Sequence, residues 1–266
     1  MIDQCRLCGG GIKFQFSKLV LMRHSVSYFS CDQCDCLQTE KPFWLDEAYQ
    51  LVNERFDTGQ VFRSLNNAGF IDALVNILKL DDQLIVDFGC GSGLMVRVLR
   101  DVGLNAVGYD SYSEPRLCIG FHVKEYPQAA VVNLCEVAEH FESPAESLDL
   151  IFSHKPKLVI VQTAIFSELP AQDWTYLSEE HGQHIFFYSI KGMEFIANKY
   201  GYQVLALNGF IVFLMPESGV KLLTDSFQVK AEYKKTLDNS LVELLNRLLS
   251  FGYKFPALDN QLLRSS

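Results

Sequence analysis

The chain has 266 residues, 48% of them hydrophobic, and a net charge of −9, which gives room for one full-sized domain with an ample core and a small additional module. That acidity excludes a field able to gather polyanions and argues against long nucleic acid as a substrate. No apolar run is long enough to span a bilayer, the longest clean one being Phe210 to Met215. The first residues also lack a basic-then-apolar leader pattern, so a cytosolic protein is expected. Eight cysteines in a reducing compartment then point to metal or free thiols, not disulfides.

Cys5-x-x-Cys8 and Cys31-x-x-Cys34 are separated by 22 residues that read as two short strands, 12–16 and 26–29. Each pair can set two thiolates on one knuckle, and a hairpin between the knuckles closes a tetrahedral site of Cys5, Cys8, Cys31 and Cys34. Four thiolates suit zinc and leave no open position, so the metal is expected to be structural and the module's folding to depend on it. Gly9-Gly10-Gly11 supplies the turn after the first knuckle. Cys36 is a surplus thiol that could replace Cys34, although the two-residue spacer favours Cys34.

Residues 42–80 read as helices, interrupted at Asp57-Thr58-Gly59. A short apolar strand, Leu84-Ile85-Val86, then runs into Asp87-Phe88-Gly89-Cys90-Gly91-Ser92-Gly93, and residues 94–102 form a helix closed by Gly103. The next strand, Asn105 to Tyr109, delivers Asp110 at its end. Glycines let backbone amides approach a ligand at a helix N-terminus. A carboxylate at the tip of the second strand can accept hydrogen bonds from both hydroxyls of a ribose. The pattern is that of an adenosine-type cofactor on a parallel sheet. It is not a dinucleotide fingerprint, because Leu94 stands where a third glycine or alanine belongs, and it has no P-loop Lys-Ser or Lys-Thr. Asp87, two residues before the first glycine, suits a ligand with an ammonium group and no pyrophosphate.

Those features fit S-adenosylmethionine, and the run resembles motif I of class I S-adenosylmethionine-dependent methyltransferases. The resemblance implies an α/β, Rossmann-like sheet, with Asp87, Phe88, Gly89, Cys90, Gly91, Gly93, Asp110 and Glu136 around the cofactor. Only 20 residues separate Asp110 from Val131, so that part of the sheet is expected to be shortened. Strands follow at 131–135 and 158–162, and helices at 144–154 and 189–200, the latter stopped by Gly201. Strands at 202–207 and 210–215 are joined by an Asn208-Gly209 turn. Tyr233, Leu237, Leu241, Leu244 and Leu248 mark one face of a final helix, which covers its own core or a second copy of the chain in a homodimer.

Two histidines fall beyond the C-terminal strand ends, where ligands of such sheets bind. His140 follows the strand ending at Cys135. His184 lies in a long loop with Trp174, Tyr176 and His181. Either could take a proton near neutral pH. The knuckle Cys31-Asp32-Gln33-Cys34-Asp35-Cys36-Leu37-Gln38 and the run His184-Ile185-Phe186-Phe187-Tyr188-Ser189 resemble bacterial sugar C-methyltransferases. Those enzymes carry an N-terminal zinc module before a class I core. The resemblance spans residues 5 to about 215 and implies His184 as general base and His140 in the sugar pocket. A glutamate that precedes the base in that family is Gln183 here, and the family's long C-terminal domain is missing. Phe43 to Tyr49, Trp174-Thr175-Tyr176 and Gly182-Gln183-His184 are similar to a related group linked to surface-glycan synthesis.

The expected organisation is a zinc module at 1–41, a helical linker or lid at 42–82, the methyltransferase core at 83–216 and a helical extension at 217–266. The expected partner is a small, sugar-based acceptor, not nucleic acid or membrane. Two rivals are a zinc-ribbon RNA methyltransferase and a regulatory protein that binds cofactor without turnover. Charge weighs against the first, as does the absence of an Asn/Asp-Pro-Pro-aromatic run after Val131–Cys135.

Overall fold

Glycine punctuation and short β-branched runs dominate residues 84–135, and there the backbone alternates strand and helix as those signals require. The computed structural model describes residues 4–50, 59–207, 209–216 and 262. The predicted C-terminal helix, Asp57-Thr58 and Asn208 lie outside the described residues. Strands β1 (Ile12–Val20), β2 (His24–Cys31) and β3 (Leu37–Thr39) come first, then helices α1 (Leu45–Gln50) and α2 (Gln60–Ile77). The alternating part follows as β4 (Ile85–Phe88), α3 (Leu94–Asp101), β5 (Ala106–Tyr109), β6 (His122–Val123) and β7 (Val131–Cys135). After it come α4 (Pro144–Ser153), β8 (Leu158–Gln162), β9 (Ile165–Phe166), β10 (Phe186–Ser189), α5 (Ile190–Tyr200), β11 (Gln203–Leu207) and β12 (Phe210–Leu214).

The larger sheet has seven strands in the order β11-β12-β8-β7-β4-β5-β6. β4 pairs in parallel with both β5 and β7, so the strand order reverses beside β4, the switch point where open α/β sheets bind ligands. The fold is α/β and Rossmann-like. The shortening expected after Asp110 is present: β6 has two residues and pairs in parallel with β5.

The second sheet has five strands, β1-β2-β3-β10-β9. The cysteine hairpin is longer than predicted, because β1 continues to Val20 and β2 starts at His24. Its strands also do not stand alone: β3 pairs antiparallel with β2 and with β10.

The chain divides into two compact units, one of residues 1–58, 136–153 and 161–213, the other of 59–135, 154–160 and 214–266. In the first, Val20, Val26, Tyr28, Leu37, Trp44, Ala48, Leu177, Ile185 and Phe187 pack into one buried cluster. In the second, Ile85, Val86, Val131, Val132, Phe70, Leu74, Val96 and Leu99 are all buried. At about 25 cal/mol per Å² of apolar surface, burying such a side chain contributes roughly 1.5–3 kcal/mol.

Candidate functional site

In the second unit, β4 ends at Phe88 and the chain turns sharply. Gly89, Gly91 and Gly93 all adopt positive φ (72°, 52° and 84°), a region that costs other residues about 1–2 kcal/mol. Gly93 caps α3, and a Cβ there would sit 2.4 Å from Cys118 Sγ. A Cβ on Gly91 would meet nothing within 4 Å, so the loop has open space above it. Asp110 organises this loop. Its Oδ2 accepts the Gly91 N–H at 2.9 Å, and its Oδ1 accepts the N–H groups of Tyr112 and Ser113 at 2.8 Å each. A carboxylate has about four acceptor sites, so capacity remains for a hydroxyl. Cys90 is buried, its sulfur packed where Gly108 lacks a Cβ, so it presents backbone to a ligand. Phe88 is also buried, its ring against Tyr109 and Tyr126.

Asp87 stands opposite Asn133 in the β4–β7 register and accepts a hydrogen bond from its Nδ2 at 2.8 Å. Only 3% of it is exposed. Burial pushes its carboxyl up to about 7 against the opposing pull of Asn133, and the neighbouring charge of Asp110 adds to the rise. A cationic ligand group would restore the charged form. The second unit therefore brings together Asp87, the three glycines and Asp110, and this set fits a ligand with an ammonium at one end and a hydroxyl at the other. With three backbone N–H groups already on Asp110, it has room for one ribose hydroxyl and not the two expected from sequence.

The histidines belong to the first unit. Gly182, at φ 65°, places its missing Cβ against Val20, Leu21 and Trp44. The Trp44 indole donates to its carbonyl at 2.7 Å, and Gln183 Nε2 donates to the Ala48 carbonyl at 2.9 Å. Those anchors fix the backbone just before His184. Gln183 is thus committed to holding the loop, and the carboxylate beside the histidines comes from elsewhere. Ala138–His140 forms a 3-10 turn whose Glu139 is fully buried, and its backbone carbonyl accepts the Ile185 N–H at 3.0 Å.

His184 Nδ1 lies 2.7 Å from the Tyr176 carbonyl, so Nδ1 carries the proton and Nε2 keeps its lone pair. The Tyr176 hydroxyl donates to Glu139 Oε1 at 2.7 Å and sits 3.1 Å from Thr163 Oγ1. Glu139 Oε1 is 3.9 Å from His184 Nε2 and 4.0 Å from His140 Nε2. The two imidazoles meet edge to face, with centroids 5.0 Å apart. Burial lowers His184 to about 3 and His140 to about 4, helped by the proximity of neighbouring histidines. Both are neutral bases at physiological pH. Desolvation raises Glu139. Glu136, grouped with the cofactor residues on sequence, has a positive φ of 53° and an Oε2 3.3 Å from the Tyr176 hydroxyl. Sequence reasoning missed Glu139 and the role of Tyr176. The available signal was the Glu139-His140 pair itself.

The four cysteines also converge. Their Sγ atoms lie within 4.8 Å of one another, with Cys5–Cys34 at 3.6 Å and Cys8–Cys31 at 3.4 Å. Tetrahedral Zn–S bonds of about 2.3 Å would set sulfurs about 3.8 Å apart, so the donor set fits that ion. Backbone N–H groups of Gly10, Gln33 and Cys34 point at the Cys8 and Cys31 sulfurs. Hydrogen bonding to Cys34 and burial raise the Cys5 thiol, and burial raises Cys8 to about 11. A dication would reverse both. Cys36 stands outside the four, with Sγ 3.8 Å from Ser189 Oγ.

The profile of a methyltransferase-domain family matches residues 62–207, more than half of the chain. No curated protein matches significantly in sequence. Among solved structures, the methyltransferase domain of bacterial CtHen1-C is 18% identical, with a TM-score of 0.41 over 57% of this chain and 98% of that one. Magnesium protoporphyrin IX methyltransferase of Synechocystis PCC 6803, with bound SAH, is 14% identical over 65% and 95%, with a TM-score of 0.46. Human N-acetylserotonin methyltransferase, in complex with SAM, is 12% identical over 65% of both chains, with a TM-score of 0.40.

Proposed function

We propose, from the premise that this chain belongs to the methyltransferase-domain family and uses S-adenosylmethionine, that its acceptor is a small sugar-based molecule and that His184 is the base. When bound, the cofactor supplies an electrophilic methyl group on a sulfonium. Asp87 would hold its ammonium, Asp110 one of its ribose hydroxyls, and the Gly89–Gly93 loop would pack against it through backbone.

The observation that carries the reading is His184 itself: buried, neutral, and fixed in one tautomer by the Tyr176 carbonyl. Its Nε2 can accept a proton from an acceptor hydroxyl, or from a carbon next to a keto group, as that atom attacks the methyl. The imidazolium so formed would have the Glu139 carboxylate 3.9 Å away, which stabilises it in a site of low dielectric. His140, edge to face against His184, would orient or polarise the acceptor. The sugar assignment is supported by the resemblance carried by Cys31–Gln38 and His184–Ser189. In-line transfer needs little beyond proximity, alignment and a base. We further propose that Cys5, Cys8, Cys31 and Cys34 hold one structural zinc.

The test is S-adenosylhomocysteine formation with nucleotide-linked sugars, for wild type and His184→Ala. The reading requires turnover with a sugar and its loss in the variant. Turnover by His184→Ala equal to wild type would make the histidine structural.

A further inference from the structure

Glu139 is fully buried, and its Oε2 has no hydrogen-bond partner. A buried carboxylate oxygen left bare is costly, so a ligand from outside the protein is a natural complement here. The other oxygen, Oε1, accepts from the Tyr176 hydroxyl and faces two ring nitrogens. One ligand atom each from Glu139, His140 and His184 lies within 4.8 Å of the others, and Oε1 is nearly equidistant from both Nε2 atoms, at 3.9 and 4.0 Å. Those separations are too long for hydrogen bonds. They are about 0.5–1 Å longer than the N···O separations around an ion with bonds of about 2.1 Å, a gap that the three side chains would have to close on binding.

We infer that Glu139, His140 and His184, with Glu136 at the edge, form a binding site for a divalent first-row transition-metal ion, separate from the four-cysteine cluster. Two imidazoles and a carboxylate suit such an ion, whereas thiolates select the softer chemistry of the cysteine site. The outer contacts are in place. The Tyr176 carbonyl takes the Nδ1 proton of His184, the Gln183 backbone carbonyl accepts from the His140 ring, and the Tyr176 hydroxyl donates to Glu139. Ligating histidines and carboxylates are held in this way by a second layer of partners. Glu136 Oε2, 3.3 Å from the same hydroxyl, brings a second carboxylate within reach. Three or four protein ligands leave positions open for oxygens of a small molecule, unlike the closed cysteine site. A hydroxyl held there would lose its proton more easily. The lone pair of His184 Nε2 cannot hold a metal and take a proton at once, so the metal-filled and proton-accepting forms exclude each other.

The probe is Co²⁺, titrated into the full chain purified with its zinc and followed by visible absorption and calorimetry. The expected result is one equivalent with d–d bands of nitrogen and oxygen coordination and no thiolate charge-transfer band, the zinc staying in place. Tyr176→Phe, an outer partner, should weaken binding about 10–100-fold. Glu139→Gln and His140→Ala, each removing a ligand, should weaken it further while retaining zinc and a cooperative unfolding transition. No cobalt bound by the zinc-loaded wild type, or cobalt affinity in both ligand variants equal to that of wild type, would overturn the inference. The readout is binding, so it is independent of the base: His184→Ala losing turnover while wild type takes no cobalt would sink the metal site and leave the base standing.

Discussion

Replacing Asp87 by asparagine should make the ligand-free protein more stable and its cofactor affinity poorer. In the folded chain this carboxyl is pushed from its ordinary 3.8 to about 7 by burial. At about 1.36 kcal/mol per pH unit, keeping it charged above pH 7 costs about 4 kcal/mol. The direction follows from linkage. Between pH 4 and 7 the folded state holds a proton that the unfolded state has released, so wild-type stability falls as pH rises through that window. Below pH 4 both states are protonated and the penalty vanishes. Asparagine removes the charge and keeps an oxygen for Asn133 Nδ2, now 2.8 Å from Oδ1. Its new N–H₂ group enters a site built around an acceptor, which takes back about 1–2 kcal/mol. The net gain should be about 2–3 kcal/mol at pH 8, about 5–10 °C in Tm, shrinking to near nothing at pH 5. Thermal unfolding of the ligand-free protein by circular dichroism from pH 5 to 8 measures it, and calorimetry should show weaker S-adenosylmethionine binding. An Asp87→Asn protein no more stable than wild type at pH 8, or one whose advantage does not grow with pH, would refute the reasoning.

Gly93→Ala should destabilise the protein by about 2 kcal/mol or more, since it adds left-handed strain to a Cβ 2.4 Å from Cys118 Sγ; denaturant unfolding reads this directly. Cys8→Ser should lose its zinc and its solubility while Cys36→Ser keeps both, as elemental analysis would show. His184→Ala should lose about 10²–10⁴-fold in turnover with cofactor affinity unchanged within a few fold. Because His184 is held near 3, the wild-type rate should show no loss from its protonation between pH 8 and 5, and a pH–rate profile of the cofactor-saturated enzyme checks this.

The parts legible in the sequence are those whose cause is local. Gly89, Gly91 and Gly93 are required by positive φ, and short apolar runs such as Val131–Cys135 and Leu158–Gln162 are strands buried on both faces. The cysteine spacing was legible for the same reason. The length of the β1–β2 hairpin was not, because its tip, Leu21-Met22, takes positive φ at both residues without the Asn or Gly that announces such a turn. The pairing of β3 with β10 joins residues nearly 150 apart, and nothing local encodes it. Glu139 is the clearest loss. In sequence it is one carboxylate beside a histidine. In the fold it is fully buried, and its partner Tyr176, itself bonded to Thr163, comes from a distant loop.

The reaction proposed for this chain is transfer of a methyl group from S-adenosylmethionine to a sugar with His184 as base. The most direct measurement uses methyl-labelled cofactor, wild type and His184→Ala, and a panel of nucleotide-linked keto and hydroxyl sugars, with products read by mass spectrometry. Label is expected on one sugar class with wild type and none above background with the variant. Cofactor bound but no label on any sugar, or equal label with both proteins, would contradict it.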